Sequence, residues 1–139
     1  MFSVTIMGGL GNQLFQIFTA MAYSIRYKKK LFISKYKHDY KTRPPYWDNL
    51  LNTLTPILVD KVISLPQYNE KDFHYEEIPN ITNTSFKLYG YFQSYKYFED
   101  YSETICDLLK IKEWQNKVKS NNKINYKNTI SLHFRIGDF

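Results

Sequence analysis

Apolar and polar positions along this chain follow two rhythms in turn. Residues 2–7, Phe-Ser-Val-Thr-Ile-Met, are a short apolar, β-branched run bounded by glycine, which predicts a strand. From Leu14 the spacing becomes helical, with Leu14, Ile17, Phe18, Met21, Ala22 and Ile25 on one face and Lys28 to Lys30 closing the helix. A second strand is expected near 30–34, and Pro44-Pro45 marks a turn. Trp47, Leu50, Leu51 and Leu54 suggest a short helix stopped before Pro56, and Lys61 to Leu65 a short strand or extended piece. Glu70 to Asn83 is polar and aromatic, a loop with edge-strand character. A third strand is expected over 86–92. Phe98, Tyr101, Ile105, Leu108 and Leu109 then recur at helical spacing, and Lys112 to Val118 reads as a further helix. A last apolar run makes 129–134 a fourth strand. Strand and helix in alternation predict an α/β fold on a parallel sheet.

Two of the strand ends carry candidate chemistry. Gly8-Gly-Leu-Gly-Asn-Gln13 lies between the first strand and its helix. Glycines there let backbone approach a ligand, and free amides at a helix start favour an anion. A tight turn without a ligand is the competing reading. A dinucleotide fingerprint would need glycine where Leu14 stands, and an acid after the second strand where Lys35-Tyr-Lys37 stands. No Gly-Lys-Ser/Thr is present, so the loop is not a P-loop either. At the other end, residues 131–139 read Ser-Leu-His-Phe-Arg-Ile-Gly-Asp-Phe. They bring His133, Arg135 and Asp138 to a strand end, where ligands bind in open α/β sheets. Arg135 suits a phosphate because its guanidinium forms a fixed bidentate fork. The alternatives are a core histidine and a surface Arg135–Asp138 ion pair.

Three blocks together carry a family resemblance. Gly8-Gly-Leu-Gly-Asn-Gln-Leu-Phe-Gln16 resembles the amino-terminal signature of the α-1,2-fucosyltransferase family. Leu88-Tyr-Gly-Tyr-Phe-Gln-Ser-Tyr-Lys-Tyr-Phe98 resembles that family's central segment. His133-Phe-Arg-Ile-Gly-Asp138 resembles its His-x-Arg-Arg-x-Asp motif, with Ile136 in place of the second arginine. The blocks occur in the family's order across nearly the whole chain. The resemblance implies a Rossmann-like half of a two-domain GT-B glycosyltransferase, with residues 1–128 as the amino-terminal domain. Residues 129–139 would then open a second, donor-binding domain, and the chain would be a truncated form, inactive alone.

The implied reaction is inverting transfer of L-fucose from GDP-fucose to a galactoside 2-hydroxyl. The implied donor-binding residues are Gly8, Gly9, Gly11, Asn12, Gln13 and Arg135. Arg135, His133 and Asp138 form the implied catalytic set. Gln93, Ser94 and Tyr91 are candidates for substrate contacts, with Phe92 and Tyr95 as further aromatic faces for a sugar ring. No Asp-x-Asp or His/Cys cluster appears, so no metal or other cofactor is expected and GDP-fucose is a co-substrate. A noncatalytic sugar- or partner-binding domain derived from such an enzyme is the alternative.

Composition narrows the partners. No apolar run approaches the roughly 18 residues of a membrane span, and no secretory leader is apparent. The single cysteine, Cys106, forms no internal disulfide and is expected in the core of a helix, which fits a cytoplasmic protein. The net charge of +6 raises nucleic acid as a partner. The lysines are dispersed, however, with Glu70, Asp72, Glu76 and Glu77 between them, so a nucleotide sugar and a glycan are expected instead. A lipid-linked acceptor would add peripheral membrane contact. His74, between Phe73 and Tyr75, reads more readily as a surface histidine than as a ligand.

Overall fold

The computed structural model describes residues 1–35, 45–61, 64–122, 124 and 126–134. Among these residues, five short strands make one all-parallel sheet. They are β1 (Phe2–Val4), β2 (Leu31–Ser34), β3 (Leu58–Val59), β4 (Gln67–Asn69) and β5 (Phe86–Tyr89), in the spatial order β3-β2-β1-β5-β4. Helices α1 (Leu10–Tyr27), α2 (Ser102–Leu108) and α3 (Ile111–Asn121) complete the fold, with short 3₁₀ turns at 52–57, 95–97 and 99–101. This is the expected α/β class.

Register explains the core. Phe2 is aligned with both Leu31 and Phe86, so these three side chains share one face of the sheet. Tyr23 of α1 packs edge-on against Phe2 and Phe86, at ring distances of 5.0 and 5.6 Å. That face therefore lies under the helix. Val4, Ile33 and Leu88 continue it, all at most 2% exposed.

The buried face of α1 differs from the apolar spacing. Ile25 is exposed, while Gln13, Gln16 and Thr19 are buried beside Ile17 and Ala20. A helix interior with two buried carboxamides needs hydrogen-bond partners for them, and these lie at the carboxyl edge of the sheet. The helix ends at Lys28, in the left-handed conformation at φ 50°, with the Lys29 amide reaching back to Ser24 O at 3.0 Å. That closure satisfies the last carbonyls.

Several expectations change. The segment around Trp47 to Leu54 is a set of turns followed by a 3₁₀ turn that runs through Pro56 rather than stopping before it. Proline lacks only a donor, and a single tight turn has few internal bonds to lose. The first and third strands stop at Val4 and Tyr89, short of residues 7 and 92, where the Met7 amide turns to Gln16 and the Tyr91 and Phe92 amides to Glu70. The extended piece at Lys61–Leu65 is no strand among its described residues; strands flank it instead. Residues 129–134 are irregular, with Ile130, Leu132 and Phe134 at least 76% exposed. A strand needs a neighbour to take its backbone groups. Cys106 is only half-buried, next to the buried Ile105 of α2.

Candidate functional site

β1 and β5 are neighbours in space, and their carboxyl ends open side by side. The chain leaves β1 through Thr5, whose amide still bonds to Leu88 O at 2.9 Å, and turns at Gly8 into α1. Gly8 holds φ +78°, and a Cβ there would come within 2.5 Å of Asn12 Nδ2. Only glycine suits that turn. Gly9 caps the helix without any side-chain hydrogen bond, and no acid stands in the first turn. The first helical bond runs from the Gln13 amide to Gly9 O at 3.0 Å. The amides before it, at Leu10, Gly11 and Asn12, lack helical acceptors. A Cβ at Gly9 or Gly11 would meet nothing within 4 Å, so open space lies over this turn.

The buried glutamines fasten the two strand ends together. Gln16 Oε1 accepts from the Met7 amide at 2.9 Å, while its Nε2 donates to Gly90 O at 3.2 Å. Gln13 Nε2 donates to Gly8 O at 2.9 Å, and its buried Oε1 has no partner among the described residues. At the rim, Gln93 Nε2 donates to Asn12 Oδ1 at 2.6 Å, joining residues 81 apart in sequence. Asn12, Gln13 and Gln93 therefore meet at one edge.

Glu70 organises the third side. It follows β4, and its Oε2 accepts from the amides of Tyr91 at 2.7 Å and Phe92 at 2.9 Å. Phe92 sits at φ 52°, a conformation that costs about 1–2 kcal/mol for a side chain bearing a Cβ. The carboxylate bonds and the burial of the Phe92 ring against Tyr97, at 5.4 Å, offset that cost. A Cβ on Gly90 would overlap the Glu70 Cβ, so the glycine admits Glu70 to its post.

Sequence reasoning missed Glu70 and Gln16 as contributors. The signal for Glu70 was an acid just beyond a strand three residues long, which no periodicity announces. Gln16 stood inside the quoted signature, on the apolar side of a helix.

The remaining candidates divide. Tyr91 and Ser94 are half-buried at the same edge and Gln93 is exposed there. Tyr95 is 57% exposed and offers a ring face, whereas Phe92 is fully buried and is a core residue, not a sugar platform. His133 is exposed and has no hydrogen bond or ion pair among the described residues, so it is no core histidine. Arg135 and Asp138 lie outside the described residues. His74 is exposed and pairs with Asp72 at 3.3 Å. The Phe73 amide and then His74 hold the Asp72 carboxyl below its ordinary value. Behind the edge, burial pushes the Tyr97 phenol up.

Among the described residues no three His, Cys, Asp or Glu side chains group as a metal site. No described helix is long and apolar enough to cross a membrane. The edge can thus offer backbone amides, two linked carboxamides and tyrosine faces to a ligand. No protein-family model, curated protein or solved structure matches the chain.

Proposed function

We propose that this chain is the amino-terminal, Rossmann-like half of an inverting GT-B glycosyltransferase that moves L-fucose from GDP-fucose to a galactoside 2-hydroxyl. The observation that carries this reading is the Gln93–Asn12 hydrogen bond of 2.6 Å. It joins two sequence blocks that resemble the family's amino-terminal and central signatures, although neither block alone dictates that they meet.

Cleavage of a sugar–diphosphate bond builds negative charge on the departing group, which fixed donors must stabilise. The unbonded amides of the Gly9–Asn12 turn and the Arg135 guanidinium are suited to that task. Asp138 and His133 complete the terminal motif and orient its loop. Tyr91, Gln93 and Ser94 line the approach for the acceptor, aromatic face and polar groups together.

A noncatalytic sugar-binding module is the second reading. Glu70 favours it, since the carboxylate at this edge is already committed to two backbone amides and is no free base.

The test is fucose transfer from GDP-fucose to lactose by the product of the complete gene. Arg135→Lys should lower kcat/KM by about a hundredfold or more with an unchanged melting temperature, because an ammonium cannot form the fork. Ile136→Arg should be tolerated. The isolated chain should transfer little or nothing. Unimpaired turnover by Arg135→Ala would refute the assignment, and lactose binding without turnover by the complete product would favour the module.

A further inference from the structure

The face of the sheet opposite α1 is built differently from the face beneath it. Ser3 and Phe32 alternate with the helix-facing residues of β1 and β2, so they belong to this second face. Parallel sheets are ordinarily covered on both faces by helices of their crossovers. Here the chain passes from β3 to β4, the two outer strands, through residues 60–66 alone. Four strand spacings amount to about 19 Å, and a seven-residue connection spans at most roughly 23 Å. Lys61 and Leu65 of the connection, with Met1, Phe32 and Val59, line a cavity of about 410 Å³ at this face.

We infer that this cavity is a binding site for a medium-chain alkyl monoanion, with the chain inside and the head group at Lys61. Its walls are mostly apolar, supplied by Met1, Phe32, Val59 and Leu65. Its volume falls within the range of small-ligand sites. Lys61 is exposed and has no ion pair among the described residues, leaving its ammonium for an acidic head. A neutral apolar ligand would leave that cation unused, and a sugar would leave the apolar walls wet. The inference does not rest on the fucosyltransferase reading, because the two sites share no residue.

The test is calorimetric titration of the chain with straight-chain carboxylates from hexanoate to tetradecanoate, each below its micelle threshold. Affinity should climb about fourfold per methylene and stop rising near ten carbons, when the cavity is full. Leu65→Trp, which fills the cavity, should weaken decanoate binding by about tenfold or more. Lys61→Glu should weaken decanoate by about fivefold and leave decanol unaffected. Circular dichroism melts establish that each variant folds, and Val59→Phe substitutes for Leu65→Trp if the latter does not. No binding of any carboxylate up to about 1 mM would overturn the inference. So would affinity that rises through tetradecanoate and ignores the filling variants, since that is adsorption to the surface.

Discussion

Phe92 at φ 52° and Gly90 beneath the Glu70 side chain form a single device, in which one carboxylate holds a strained turn. Glu70→Ala would leave the Tyr91 and Phe92 amides without their acceptor, and stability should fall by about 2–4 kcal/mol in urea unfolding. Gly90→Ala should cost about 1–3 kcal/mol for steric reasons alone. Both variants should also release the Gln93–Asn12 contact, visible as a change in the Gln93 side-chain amide resonances. Gly9→Ala provides the contrast, since a Cβ there meets nothing within 4 Å. Its stability should stay within about 0.5 kcal/mol of the unmodified chain, while GDP-fucose binding weakens because the methyl occupies the space over the helix start. Equal effects of Gly9→Ala on stability and binding would contradict a ligand in that space.

Among the elements, α1 ties the sheet to the loop 78–81 through Tyr23. Its hydroxyl donates to Pro79 O and accepts from the Ile81 amide, each at 3.0 Å. Burial raises the Tyr23 phenol above its ordinary value, with the Ile81 amide pulling the other way. The folded state therefore prefers the neutral phenol. That preference is fully present below the usual tyrosine range, about pH 10, and is lost as pH rises through the raised folded value. Tyr23→Phe should lower stability near pH 7 by about 1–2 kcal/mol and make the alkaline decline shallower. The decline should not vanish, because burial raises Tyr68 and Tyr97 too.

The same helix shows where sequence reading succeeds and where it stops. The runs at 2–4, 31–34 and 86–89 declare themselves because strands buried on a helix face must be apolar there. Gln13, Gln16 and Thr19 hide the true buried face of α1, because their burial depends on partners far along the chain. The two-residue strand at Leu58–Val59 and the 3₁₀ turn through Pro56 are too short for any period to register.

At the scale of the molecule, strand order turns two distant glycine-containing blocks into one edge. β5 lies beside β1 although β2, β3 and β4 come between them in sequence, and no local pattern dictates that pairing. The loops were legible one by one; their meeting was not. The central claim is that this shared edge binds a nucleotide sugar. Its most direct test is titration of the isotope-labelled chain with GDP-fucose, followed residue by residue through amide resonances. The account predicts shifts concentrated at Gly9, Gly11, Asn12 and the Gln93 side chain, saturating in the millimolar range, about 1–10 mM. No shifts at those positions by about 10 mM, or shifts confined to other parts of the chain, would contradict it.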